Sequence, residues 1–171
     1  MKYKNQVIHL IIFQAGWWSC VLSLRFDAEL YALCLGAALA GIQVTLNDQR
    51  KKDIFFTSIA LIMGIIFDSM IQGYLGFDFF GWSIKALSPF WLWMIWILFA
   101  LSLRGSIQIV GHVSTLNLAL MGFVFGPLSY VAGAKAGAAQ ITSSNGQLLV
   151  LGILWAIMMP LLVWFAKKIG D

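Results

Sequence analysis

Charged residues are scarce in this chain: they make up 11% of its 171 residues, while hydrophobic residues make up 61%. This balance excludes an ordinary soluble domain, in which about a quarter of the residues are charged. The apolar residues also fall into runs long enough to cross a bilayer. The sequence therefore predicts an integral membrane protein, surrounded by the lipid bilayer and folded as one transmembrane helical domain over residues 1–171.

Cysteine and histidine are also scarce, with two of each. His9 and His112 are too isolated to predict a metal site, and neither a metal nor a cofactor is expected. Cys20 and Cys34 are expected to be reduced rather than joined in a disulfide. The chain has no glycine-rich phosphate loop and no HExxH or Gly-x-Ser-x-Gly motif. Basic residues form no aromatic-lined basic face, so nucleic acid is not an expected partner.

Six apolar runs predict an all-α bundle of six transmembrane helices, over about residues 7–24, 29–46, 54–75, 89–103, 115–134 and 147–166. An even number of crossings puts both termini on one side of the membrane. By the positive-inside rule that side is the cytoplasm, because it holds eight of the eleven basic residues: Lys2, Lys4, Arg50, Lys51, Lys52, Arg104, Lys167 and Lys168. Arg104 is expected to be a snorkelling anchor at the inner interface.

Asp68 is the only acid deep within an apolar run. Counting from Ile54 places its carboxyl about 21 Å into an apolar layer about 30 Å thick, in the outer half. Ionisable groups at such depth usually face the bundle interior and mark functional sites. The alternative is a purely structural role, in which Asp68 hydrogen-bonds Gln14 or Tyr130, or pairs with Lys135.

Helical spacing places Gly64, Asp68 and Gln72 on one face of the third predicted helix. Polar and aromatic residues of the first and fifth helices reach a comparable depth. We therefore predict an outward-facing pocket centred on Asp68, with five ligand-binding residues: Gln14, Trp17, Asp68, Gln72 and Tyr130. No catalytic residue is predicted, because a single carboxylate without a second acid or a histidine at its depth is a weak basis for a hydrolase. A non-enzymatic role is favoured, and an enzyme stays an open alternative.

The fifth run contains a glycine pair and a proline. Gly122 and Gly126 predict close approach of a neighbouring helix. Pro127 predicts a kink or local unwinding of the helix, because it removes an amide donor and clashes with the preceding turn. The loop over residues 76–87 is rich in aromatic residues and is expected to lie in the membrane interface, where it caps the bundle.

Four ordered motifs extend over nearly the whole chain: Phe13-Gln14-Ala15-Gly16-Trp17-Trp18, Gly64 with Asp68, the segment from Pro89 to Ala100, and Gly126-Pro127-Leu128-Ser129-Tyr130. In these motifs the chain resembles the small proteobacterial proteins grouped as domain of unknown function 2878. The resemblance implies a multi-pass protein of the bacterial inner (plasma) membrane and supplies no activity. It also implies genes near those of fatty-acid-modifying enzymes, which favours a lipid-linked role.

The favoured hypothesis is a protein that binds or passes a small or lipid-like ligand through the Asp68 pocket, as an accessory to membrane-lipid modification. Two alternatives stay open. The helix count and short loops are similar to those of the substrate-capture subunits of energy-coupling-factor transporters. In that case a small-residue face of the first or second helix would dock a membrane partner protein. The second alternative is an integral membrane enzyme that acts on lipid chains.

Overall fold

A computed structural model describes residues 2–47, 49–142 and 144–170 of the protein, with side chains from residue 6 onward. The side chains of Lys2 and Lys4, used in the topology prediction, lie outside this part. The predicted helical class is confirmed, although two short strands were not predicted. The elements are α1 (Lys2–Ser23), a 3-10 turn (Leu24–Phe26), α2 (Glu29–Leu46), α3 (Arg50–Tyr74), β1 (Phe77–Phe79), α4 (Phe90–Gly105), α5 (Ile107–Val110), α6 (Thr115–Lys135), β2 (Ala139–Ile141) and α7 (Asn145–Gly170).

The bundle is built around α4. Within the described residues, five helices are long and apolar enough to cross a membrane: α1, α2, α3, α6 and α7. The 16 residues of α4 rise about 24 Å, less than a hydrocarbon layer of about 30 Å. Helices α1, α2 and α3 all pack against α4, and Trp96, Leu98 and Leu101 are buried on it. Because neighbouring helices surround α4, its length does not have to match the lipid.

The two strands close one end of the bundle, which we call the sheet end. They pair antiparallel, with Phe77 opposite Ile141 and Phe79 opposite Ala139. Both phenylalanines are buried. The following loop is fastened by Glu29, whose two carboxylate oxygens accept the backbone N–H of Trp82 at 2.9 and 3.1 Å. The loop predicted to cap the bundle therefore covers its end with a strand and a hydrogen-bonded turn.

A buried ion pair marks the opposite end, which we call the ion-pair end. Arg104 Nε donates to Asp53 Oδ1 at 2.8 Å, and the two side chains are 4% and 3% exposed. Arg104 also donates to the carbonyl of Ala166 at 2.6 Å and to Gln49 Oε1 at 3.2 Å. The prediction that Arg104 is a snorkelling anchor is therefore wrong. Its guanidinium turns inward because a carboxylate and a carbonyl near the end of α7 satisfy it there.

Helix α6 continues through Pro127 without interruption, so the predicted local unwinding is absent. The helix packs closely on α7 in this region. A neighbouring helix can stabilise the backbone around a proline. A Cβ atom added at Gly122 or Gly126 would come within 2.2 Å of Trp155 in α7. The predicted close helix approach at these two glycines is confirmed.

The two cysteines occupy different environments. Cys20 is buried in the bundle, Cys34 is exposed on α2, and both are free thiols. The two thiols are not joined in this structure, as the sequence led us to expect. A disulfide requires the two side chains to face each other.

Replacing Arg104 with methionine should destabilise the protein strongly. The change leaves the Asp53 carboxylate buried without its partner, which typically costs about 3–5 kcal/mol. The free energy of unfolding, measured by denaturant titration in detergent, should fall accordingly. The double variant Arg104→Met, Asp53→Leu should recover much of the loss, because no charge is then buried.

Lys168→Met provides the control, because Lys168 is exposed and its ammonium lies 5.0 Å from the Trp164 ring centroid. We expect this variant to change stability by less than about 1 kcal/mol. An Arg104→Met protein as stable as Lys168→Met would contradict the structural role given to the ion pair.

Candidate functional site

A cavity of about 440 Å³ lies between α1 and α6, with α4 and α7 as its floor. Helix α1 packs on α2 and α4, and α6 packs on α7 and β2; among the described residues, α1 and α6 do not pack closely on each other. Trp18 and Phe125, on the two rims, are 49% and 62% exposed. The cavity is therefore a cleft that opens sideways between two helices, and we call it the α1–α6 cleft.

The walls of the α1–α6 cleft are mainly aromatic and aliphatic. The floor carries Trp91, Trp96 and Phe99 of α4 and Trp155 of α7, and the strand residues Phe79 and Ala139 bound the cleft at the sheet end. Four polar side chains interrupt this surface: Gln14, Asp68, Ser129 and Tyr130. The cleft therefore combines a large apolar surface with a few polar groups, as small-molecule sites commonly do.

Asp68 lies at the base of the cleft and is completely buried. Its Oδ2 accepts a hydrogen bond from Trp96 Nε1 at 2.7 Å. Its Oδ1 accepts a short hydrogen bond from the Tyr130 hydroxyl. Lys135 is exposed on α6. Within the described residues, Asp68 and Lys135 form no ion pair, so this alternative is wrong. Asp68 instead joins α3 to α4 and α6 through two neutral donors.

Two stacked indoles hold this hydrogen-bonded group in place. The rings of Trp96 and Trp155 have centroids 5.6 Å apart and an interplanar angle of 6°. A Cβ atom at Gly64 would lie 2.1 Å from Trp96, and one at Gly126 would lie 2.2 Å from Trp155. The two glycines therefore provide the space that the stack occupies, one from α3 and one from α6. Gly64, which lies on the same face of α3 as Asp68, leaves the space that Trp96 fills.

Four of the five predicted binding residues come together in the structure. Gln14, Trp17, Asp68 and Tyr130 all line the α1–α6 cleft. Gln72 does not: it lies one helical turn nearer the sheet end, where β1 packs on α3, and its Oε1 atom is buried without a hydrogen bond. The bounding strands, which were not predicted, therefore separate Gln72 from the cleft.

Sequence reasoning missed Trp96 and Trp155, although the signal for Trp96 was present. Asp68 lies six residues before the end of α3 at Tyr74, and Trp96 lies six residues after the start of α4 at Phe90. Antiparallel helices that start and end at one membrane face place such residues at equal depth. Trp155 could not be found in this way, because it lies ten residues after the start of α7 and reaches the site by packing on the rings of Trp96 and Tyr130.

The polar groups of the cleft suit binding by hydrogen bonds. Tyr130 donates a hydrogen bond to Asp68. The two lone pairs of its oxygen can accept hydrogen bonds from the Trp155 indole beside it and from a ligand. Gln14 is exposed to the cleft, and its amide can both donate and accept. The described residues contain no group of three or more histidine, cysteine or acidic side chains placed to hold a metal ion. The arrangement can hold an apolar chain that carries a hydrogen-bonding group.

Fold and site together define a helical membrane protein with a side-opening apolar cleft and a buried carboxylate at its base. Residues 6–161 match the family described as protein of unknown function, DUF2878. The chain belongs to this family, which confirms the resemblance seen in its motifs, and the matched region includes every residue that lines the cleft. No curated protein and no solved structure matches the chain.

Asp68→Leu should lower the free energy of unfolding. The change removes the acceptor for Trp96 and for Tyr130, and each buried donor left without an acceptor costs about 1–3 kcal/mol. Asp68→Asn should cost less, because its carbonyl can accept from Trp96 and its amide can donate to the Tyr130 oxygen, whose own proton then turns toward the cleft. Denaturant titration of both variants in detergent measures the difference. Equal stability of the two variants would show that the hydrogen bonds of Asp68 do not hold the helices together.

Proposed function

We propose that the protein binds a lipid-like ligand, with the hydrocarbon chain in the α1–α6 cleft and a hydrogen-bonding group at Gln14 and Tyr130. The observation that carries this proposal is the sideways opening between two helices that face lipid. A ligand dissolved in the bilayer can enter through such an opening without crossing the headgroup layer. Its chain then exchanges one apolar environment for another, so the polar groups provide most of the selectivity.

Entry of the ligand from the side is also favoured because the sheet end of the cleft is closed. Phe79 and Ala139 bound the cleft at the sheet end, and the Trp82 loop there is fastened to Glu29. A water-soluble ligand arriving at that end would have to displace the paired strands. A lipid chain arriving between Trp18 and Phe125 displaces only other lipid.

The membrane placement that accompanies this proposal has six crossings, with α4 as the sixth, in a bacterial inner membrane. The ion-pair end and both termini face the cytoplasm, and the sheet end faces outward. The distribution of charge supports this orientation under the positive-inside rule. Basic residues cluster at the ion-pair end, in the segments that begin α3 and end α7: Arg50, Lys51, Lys52, Lys167 and Lys168.

Filling the cleft should prevent lipid binding. Gly133 lies on the α6 wall of the cleft, and a Cβ atom there meets nothing within 4 Å, so Gly133→Phe can enter the open space. The full-length protein is reconstituted in phosphatidylethanolamine vesicles that contain a phospholipid with a diazirine on its acyl chain. After illumination, mass spectrometry should find cross-links on the floor residues Trp96 and Trp155, and Gly133→Phe should reduce them severalfold.

Gly73→Phe is the matched control. Gly73 is exposed on α3, does not line the cleft, and also has nothing within 4 Å of an added Cβ atom. This variant should label like the unmodified protein, since it adds the same ring elsewhere. Cross-links confined to the outer faces of the helices, or equal labelling of the two variants at Trp96 and Trp155, would disprove lipid binding in the cleft.

A transport subunit is the second candidate, because α2 presents small residues outward. Ala37 and Gly41 are exposed, and a Cβ atom at Gly41 meets nothing within 4 Å, so a partner helix could approach closely there. A protein of this kind should co-purify from its native membrane with an ATPase module, and Gly41→Phe should abolish the association. Recovery of the protein without an ATPase would exclude this candidate and leave the lipid-binding proposal untouched.

A further inference from the structure

The ion-pair end contains a second concentration of polar residues, separate from the cleft. Each of four helices contributes a pair of polar residues spaced by three or four positions. The pairs are Gln6 and His9 on α1, Gln43 on α2 with Asn47 directly after its end, Asp53 and Thr57 on α3, and Ser102 on α4 with Ser106 directly after its end. All of these except Asn47 are buried. We call this group the inner polar cluster.

Residues of α2, α3 and α4 approach His9 of α1. The imidazole is completely buried and packs on α4, where a Cβ atom at Gly105 would lie 2.3 Å from its ring. Gln43 Nε2 donates to the backbone carbonyl of His9 at 3.2 Å. The Asn47 side chain lies within hydrogen-bonding reach of the ring, and the Asp53 carboxylate lies near enough to interact with it electrostatically. Residues from all four helices therefore converge on one histidine.

Several polar atoms in this cluster have no protein hydrogen bond of ordinary geometry among the described residues. They are the two ring nitrogens of His9, which the Asn47 side chain approaches, Nδ2 of Asn47, and the side-chain oxygens of Gln6, Gln43, Asp53 (Oδ2), Thr57 and Ser106. Buried polar atoms in folded proteins are nearly always satisfied by protein or by ordered water. Unpaired groups from four helices at one end of a bundle therefore indicate a ligand rather than an isolated defect.

The hydrogen-bonding capacity of these unpaired atoms indicates the kind of ligand that would satisfy them. The unpaired oxygens of Gln6, Gln43 and Asp53 can only accept, whereas a neutral His9 offers one donor and one acceptor. The ligand must therefore both donate and accept in a small volume. A metal cation is disfavoured, because Arg104 already neutralises Asp53 and the remaining groups carry no negative charge. We propose that the inner polar cluster is a binding site for a small group of ordered water molecules centred on His9.

This site goes beyond the proposed lipid binding and does not depend on it. Thr57 and Asp68 are eleven residues apart on α3, which corresponds to about 16 Å along the helix. The buried residues between them are Ala60, Gly64 and Phe67, none of which has a polar side chain. Failure of the lipid cross-linking experiment would therefore leave the water site unaffected, and the reverse also holds.

The chain offers a favourable sample for testing this inference, because it has only two histidines and two cysteines. Full-length protein labelled with carbon-13 at both residue types is embedded in bilayers, and the transfer of magnetisation from water is followed by solid-state NMR. His112 is exposed and provides the wet reference. Cys20 is completely buried in the apolar core and provides the dry reference. We expect transfer to the His9 ring to approach that of His112 and to be severalfold faster than transfer to Cys20.

The variant Gln43→Leu distinguishes two sources of water at His9: water bound by the inner polar cluster, and water that enters when the helix ends open transiently. Removing this amide should slow transfer to His9 severalfold and leave His112 unchanged. Transfer to His9 as slow as to Cys20 in the unmodified protein would overturn the inference, because the ring would then be packed dry. Fast transfer that Gln43→Leu does not alter would also overturn it, since the cluster would not be what holds the water.

Discussion

The contacts of one indole, that of Trp96, join the two halves of the bundle. Helices α1 to α4 pack as one group and α6 with α7 as another. Trp96 donates to Asp68 within the first group and stacks on Trp155 of the second. Tyr130 of α6 donates to the same carboxylate. Asp68 therefore links the two groups at the base of the cleft, while the hydrogen bond from Arg104 to the Ala166 carbonyl links them at the ion-pair end and the paired strands link them at the sheet end. The glycines Gly64 and Gly126 leave the space that the stacked indoles occupy.

The α1–α6 cleft follows from this way of joining the halves. Helix α6 is held to the rest of the bundle through α7 and Tyr130. No close packing between described residues holds α6 against α1. In water such an apolar gap would tend to close, because exposed hydrocarbon is costly. In a bilayer lipid chains can fill such a gap at little cost, since no hydrophobic gain rewards helix contact there. An open side cleft is thus a stable feature of this fold in a membrane.

Much of the fold could be predicted because transmembrane helices are long and apolar. The approach of Asp68 to Tyr130 was accessible too, since depth along a helix requires only the rise per residue. The two strands could not be predicted, because three-residue segments acquire strand geometry only by pairing with each other. The burial of Arg104 could not be predicted either. Its partner Asp53 is 51 residues away, and α3 begins at Arg50 rather than Ile54, which brings that acid into the first turn.

The two polar regions constrain how the molecule can work. The cleft reaches Asp68 from the side, and the inner polar cluster lies at the ion-pair end. Between them, α3 presents Ala60 and Gly64 while α4 presents Leu98 and Leu101, all buried. A polar solute crossing this layer would leave its hydrogen bonds unmet over about 16 Å, at several kcal/mol for each unsatisfied group. The apolar layer therefore separates the cleft from the inner polar cluster and opposes the passage of a polar solute between them.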